Sequence, residues 1–274
     1  MRGSAEAFDA VIIGAGFAGL YMLFRLRKLG LRCRLPEAGE GVGGAWYWNR
    51  YPGARCDSES YFYCYSFSEE ILREWTWSEK FPAQPEIERY LNFVADRLDL
   101  RKDIALGRRV TAATYDEPAV RWTVTTQAGD TVTARYLVTA IGGLTVTAPN
   151  LPAIAGLDDF QGEWHHTGRW PRRGVDLSGK RVGVIGTGST GIQAIPVIAA
   201  QAADLTVFQR TPAYIMPARN GPLAPDEVAR IKANYAEIWR KAKAHRGGQP
   251  YDPPTLAFAD VDESEARRLQ EEYW

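Results

Sequence analysis

A carboxylate and a guanidinium occupy matching places in this sequence: Glu37 lies 18 residues past Gly19, and Arg210 lies 19 residues past Gly191. Each follows a Gly-x-Gly-x-x-Gly run, Gly14, Gly16 and Gly19 in the first instance and Gly186, Gly188 and Gly191 in the second. Glycines at that spacing permit a tight turn, let backbone N–H groups approach a pyrophosphate, and let the following helix pack closely on its strand. The helix N-terminus adds the positive end of its dipole. A carboxylate at the end of the next strand accepts hydrogen bonds from the ribose hydroxyls of an adenosine. A guanidinium there holds a 2′-phosphate by a bidentate, charge-assisted pair that a carboxylate would repel. The two units therefore predict FAD at the first turn and NADP, rather than NAD, at the second, with Arg210, followed in sequence by Thr211, at the phosphate. Hydride passing from NADPH to the flavin is the chemistry such a pair serves.

Strand-turn-helix units must carry these turns. The first has an apolar strand at Ala10–Ile13, a helix with apolar residues at Leu20, Leu23, Phe24 and Leu26, and a second strand in LRCRLPE, where Pro36 removes a backbone donor just before Glu37. The second has a strand at Val182–Ile185, a helix containing Pro196, which must kink it or shift its bonding, and a strand at Leu205–Gln209. Between them, EIERYLNFVADRLDL (86–100) has a helical apolar stripe that reads as core. Strands are expected at Arg108–Val110 and through RWTVTTQAGDTVTARYLVTAIGG, with a turn at AGD and an end at Thr139–Gly142 that passes close to the first nucleotide. TAPNLPAIAGL reads as a linker. An amphipathic helix is predicted over 225–243, and after a PYDPP break Asp262-x-x-Glu265 opens another as a capping box. The fold class is α/β: two Rossmann-like dinucleotide-binding domains of the two-domain flavoprotein type, plus the start of a helical insertion. The expected domains are 1–150 (FAD), 151–215 (NADP) and a truncated helical segment, 216–274.

Bulk properties narrow the partners. With 33 basic and 33 acidic residues among 274, no net field attracts nucleic acid or anionic lipid. Cys33, Cys56 and Cys64 form neither a CxxC pair nor a zinc set, and an odd count argues against a disulfide framework, so no metal and a reducing, cytoplasmic compartment are expected. No apolar run has the roughly 18 residues of a membrane span. Aromatic residues are 12% of the chain, including nine tryptophans, which suits either a well-filled core or a flat ligand held between rings.

The stretch GGAWYWNRYPGARCDSES (43–60) is too apolar for a solvated loop and needs something to cover it. Together with YCYSFSEE, IGTGSTGIQ, VFQRTP and the spacing Phe160-x-Gly162-x-x-x-His166-x-x-x-Trp170-Pro171, it resembles the Baeyer-Villiger monooxygenases, class B flavoproteins, over residues 9–274. The resemblance implies oxidation of a small ketone to an ester or lactone with NADPH and O2, through a C4a-peroxyflavin. It sets Trp46, Tyr47 and Trp48 against flavin and core, and uses the Pro52–Gly53 turn to aim Arg55 and Asp57 at the ring and nicotinamide. By the same resemblance Glu37, Trp46, Asp57, Tyr63 and Val110 lie near FAD. Arg55, Thr187, Gly188, Ser189, Thr190, Gly191, Ile192, Gln193, Arg210 and Thr211 lie near NADP, and Gly44, Ala45 and Cys56 are further cofactor-lining positions. Asp57 is the catalytic candidate, holding an arginine that family members carry in a second half not found here. His166 and Trp170 read as a packed, motion-coupling junction. The sequence is thus expected to be an N-terminal half, inactive alone and in need of a C-terminal companion. Two other readings stand beside it: a heteroatom-oxygenating or NADPH-oxidase relative, and a non-catalytic nucleotide-binding piece.

Overall fold

Strand β1 (Glu6–Ile13) is the centre of the first sheet because its apolar run, Ala10 to Ile12, is buried from both sides. The computed structural model describes residues 6–143, 151, 153–213, 215–251 and 260–273. The chain divides into two compact units, Met1–Ala54 with Ala83–Gly183 and Thr190–Thr206, and Arg55–Pro82 with Val184–Ser189 and Val207–Trp274.

In the first unit, β1 is followed by α1 (Phe17–Lys28) and β2 (Cys33–Pro36). Next come α2 (Ala45–Trp48) and, after the excursion of residues 55–82 into the second unit, α4 (Gln84–Arg97), β3 (Ile104–Ala105), β4 (Val110–Asp116), β5 (Arg121–Thr126) and β6 (Thr131–Thr139). The sheet order is β3-β2-β1-β6-β5-β4: parallel through β3, β2, β1 and β6, then antiparallel to β5 and β4. β1 is longer than Ala10–Ile13 because β6 pairs along it from Glu6↔Val132 to Ile13↔Thr139. The β5–β6 turn falls at the expected AGD, with Gly129 at φ 86°. Of the strand expected at Arg108–Val110 only Val110 is in β4, which runs on to Asp116 because pairing with β5 overrides the weak apolar pattern of TAATYD. Phe8, Val11, Val124 and Ala134 form a buried cluster against which Ile13, Val110, Val132 and Leu137 pack.

Helix α4 buries Ile87, Tyr90, Leu91, Val94 and Ala95, so its stripe is core. It stops at Arg97, short of residue 100, because Asp99 takes φ 51° and the N–H groups of Asp99 and Leu100 turn back to the carbonyls of Asp96 and Ala95. Pro36 is tolerated as the last residue of β2, where its carbonyl still accepts Gly14 N–H at 3.0 Å.

A separate two-stranded sheet pairs β7 (Arg181–Ile185) with β8 (Asp204–Phe208), joined by α5 (Ser189–Ala199), which continues through Pro196. The second unit holds α3 (Glu69–Glu74), whose N-terminus Ser68 caps by accepting Ile71 N–H, and the helices α6 (Pro225–Ala233), α7 (Tyr235–Ala244) and α8 (Glu263–Tyr273). The single helix expected over 225–243 is two, broken at Asn234 (φ −110°, ψ 9°). Half of the expected capping box is formed: Asp262 accepts Glu265 N–H at 2.9 Å, while the Glu265 carboxylate accepts from Arg268. Residues 147–150 and 152 of the expected linker and 252–254 of the PYDPP break lie outside the described residues. The architecture is α/β with Rossmann-like strand-turn-helix units, and among the described residues no helix is long and apolar enough to cross a membrane.

Candidate functional site

The first glycine turn is built where backbone meets backbone. Gly14 has φ 103°, and a Cβ on it would stand 2.7 Å from the Ala140 carbonyl oxygen. A Cβ on Gly19 would stand 1.8 Å from the Gly14 oxygen, so α1 packs against the turn itself. Gly16 is the N-cap of α1 and supplies no side-chain cap, and the first helical turn holds no acidic residue. No side chain therefore caps the N–H groups of the first turn of α1, and at this end the Glu37 carboxylate reaches only the N–H of Ala15, just before the N-cap.

Glu37 is 4% exposed. Its Oε2 accepts Ala15 N–H at 2.6 Å and its Oε1 accepts Gly39 N–H at 2.7 Å, so the carboxylate fastens the glycine turn to the end of β2. Its own backbone continues the sheet, donating to Ala105 and accepting from Arg108. Val110 follows at the start of β4 and packs on the core cluster.

Gly43 donates to Ala15 O at 3.0 Å, and Gly44, at φ 56°, would bring a Cβ to 2.7 Å from the α-carbon of Gly16. Ala45 then opens α2. Of the three aromatics there, Tyr47 alone is buried, while Trp46 and Trp48 are half-buried, because successive helical side chains fan about 100° apart. Tyr47 lies between Gly39 and Gly41, where Cβ atoms would sit 2.6 and 2.8 Å from its ring. Its hydroxyl accepts Glu40 N–H at 2.9 Å, and the guanidiniums of Arg172 and Arg50 stand 4.5 and 5.2 Å from its centroid. The Pro52–Gly53 turn is present, with Gly53 at φ 75°.

Arg55, Cys56, Asp57 and Tyr63 belong to the second unit. Arg55 Nη1 donates to Glu79 Oε2 at 3.2 Å and to the Phe81 carbonyl at 3.0 Å, which fixes its charge. Cys56 is buried, and burial, reinforced by the Asp57 carboxylate, pushes its thiol up to about 11. Asp57 is exposed and Tyr63 half-buried.

At the second turn Gly186 has φ 99° and donates to Phe208 O at 2.9 Å, while Thr187 Oγ1 accepts from Gln209 at 2.8 Å. A Cβ at Gly188 would meet nothing within 4 Å. Ser189 and Thr190 open α5, with no acidic residue in its first turn, and Gly191, Ile192 and Gln193 follow. Arg210 and Thr211, both exposed, come two and three residues after β8. In the Phe160–Pro171 segment, His166 Nδ1 accepts Gly168 N–H at 3.1 Å and caps a 3-10 turn at Thr167–Arg169, and the rings of His165 and Trp170 lie 5.6 Å apart. Sequence reading missed the roles of Ala15 and Gly39. Gly39 and Gly41 flanking a glycine-rich run were the available signal.

A family profile described as pyridine nucleotide-disulphide oxidoreductase matches residues 8–231. Acetone monooxygenase (methyl acetate-forming) of Gordonia sp. (strain TY-5) is 49% identical over 271 residues, covering 98% of this chain and 50% of that protein. Phenazine N-monooxygenase PhzNO1 of Lysobacter antibioticus is 45% identical over 268 residues, covering 97% and 49%. The solved structure of oxidized steroid monooxygenase bound to NADP matches with a TM-score of 0.92 at 54% identity, over 98% of this chain and 51% of that one. The chain spans about half the length of the curated relatives it matches. With both glycine turns inside the matched span, the chain belongs to the pyridine nucleotide-disulphide oxidoreductase family, and its homologues there include Baeyer-Villiger monooxygenases.

Proposed function

We propose that this chain carries the FAD and NADP cradles of an NADPH- and O2-consuming monooxygenase that converts small ketones to esters or lactones. The observation that carries the reading is the exchange of Glu37 for Arg210 at the ends of two otherwise matched glycine-turn units. FAD fits the first turn: Gly14, Gly19 and Gly44 leave backbone where a Cβ would intrude, and α1 meets an anion with an uncapped N-terminus. Glu37 spends one acceptor site per oxygen on Ala15 and Gly39, which leaves about two of its roughly four lone-pair sites for a ribose. Gly16, Ala45, Trp46, Tyr63 and Val110 are assigned to the same cofactor. NADP is assigned to Thr187 through Gln193, with Arg210 and Thr211 at the 2′-phosphate and Arg55 and Cys56 near the nicotinamide.

Bound flavin, reduced by NADPH, supplies the oxygen chemistry. Arg55, held by Glu79 and the Phe81 carbonyl, contributes a fixed positive charge. Asp57 is assigned the task of orienting a second cationic side chain. The exposed Ile185, Val207 and Phe208 on β7 and β8 support a companion segment or chain that completes that sheet. Three free thiols agree with a reducing, cytoplasmic setting.

The test is ketone-dependent NADPH consumption by the full reading frame, with ester or lactone detected by mass spectrometry. Loss of ester in Asp57→Ala is expected, and NADPH consumption without any ester would overturn the reading. The phenazine-oxidising relative favours a second reading, oxygen transfer to a ring nitrogen. An N-oxide formed from a phenazine, with ketones untouched, would establish it instead.

A further inference from the structure

Residues 43–54 touch separate parts of the first unit at their two ends. One end is locked to the first glycine turn through Gly43–Ala15 and Gly44–Gly16. The middle is anchored by Tyr47, by Arg50 paired with Glu88 at 2.7 Å, and by Gln84, whose amide donates to the Trp46 carbonyl. The other end meets α5: Tyr51 Oη donates to Gln193 Oε1 at 2.8 Å, and a Cβ on Gly53 would stand 2.2 Å from the Gln193 carbonyl oxygen and 3.0 Å from Val197 Cγ2. Helix α5 needs such support. Pro196 has no N–H for the Ile192 carbonyl, so the internal ladder of α5 lacks a bond beside Gln193.

We propose that Tyr51 and Gly53 are positioning residues that set the register of α5, the helix after the second glycine turn, from the loop that braces the first. Gly53 is required twice over, by its left-handed φ of 75° and by its approach to α5, and Tyr51 fixes the rotation of the helix by gripping one side chain. That this register governs NADP binding rests on the function proposed above. The register itself does not.

Hydrogen exchange read by mass spectrometry on the whole chain separates the two. Tyr51→Phe should speed exchange of the 190–199 amides about three- to tenfold, the range for one lost hydrogen bond, with β1 and β6 unchanged. Adding Gln193→Leu should accelerate α5 by less than the two single changes combined, because both remove the Tyr51–Gln193 bond. In the same Tyr51→Phe protein the NADP+ dissociation constant should rise about three- to tenfold while that for FAD stays within about twofold. Unchanged exchange in α5, or a uniform rise across the sheet, overturns the positioning role. If the unsubstituted chain binds no NADP+, the cofactor assignment fails while the exchange pattern still decides the role of Tyr51. Gly53→Ala should reproduce the effect more strongly, and if it does not fold Tyr51→Phe still gives the answer.

Discussion

Glu37 does two jobs with one carboxylate. Buried and holding the N–H groups of Ala15 and Gly39, it shapes the turn that a nucleotide would occupy, so binding and local stability are inseparable at this residue. Glu37→Ala leaves two buried donors without acceptors, each costing about 1–3 kcal/mol, and should lower the urea unfolding free energy by at least about 2 kcal/mol as well as weaken FAD. Glu37→Gln, which keeps one acceptor oxygen, should lose less. The thiols make a different prediction. Burial raises Cys33 and Cys56 to about 11 and Cys64 to about 12, from an ordinary 9.0. Between these values the folded chain keeps protons that the unfolded chain has shed. Stability is therefore full below pH 9 and falls as pH rises from about 9 toward 11. Urea midpoints measured across that window should drop, and Cys56→Ala should flatten the drop. Sequence reading supplied the identity and place of Glu37, because spacing after a glycine turn is local information. Its bonds to Ala15 and Gly39 depend on tertiary closure and were not legible.

The two glycine turns are alike in sequence and unlike in surroundings. A Cβ on Gly19 collides with the Gly14 carbonyl at 1.8 Å, whereas one on Gly188 meets nothing within 4 Å. Gly19→Ala should cost roughly 1–3 kcal/mol, an overpacking penalty, and lower the thermal midpoint. Gly188→Ala should leave stability within about 0.5 kcal/mol and act on NADP+ affinity alone, measured by calorimetry. A large stability loss at Gly188 would mean that it serves packing rather than a ligand. At this scale β1, α1, α4, α5 and the β5–β6 turn were legible, because apolar period and turn glycines agree there. The break at Asn234 and the full length of β4 were not, since one depends on a single residue between amphipathic runs and the other on pairing with β5.

Across the whole chain, the β7–β8 sheet carries large apolar side chains open to solvent: Ile185 is 72% and Phe208 57% exposed on a ribbon of two strands. Exposed apolar edges of this kind recruit further chain or self-associate. Sedimentation should detect concentration-dependent association that Ile185→Ser and Phe208→Ser reduce. The central claim, two cradles of opposite ribose preference on one chain, is tested most directly by titrating the FAD-loaded chain with NADP+ and with NAD+ in a calorimeter, with and without Arg210→Ala. One FAD should bind per chain, NADP+ should bind about tenfold or more tightly than NAD+, and the substitution should abolish that margin. Equal affinities for the two nucleotides, or a margin that survives loss of the guanidinium, would contradict that claim.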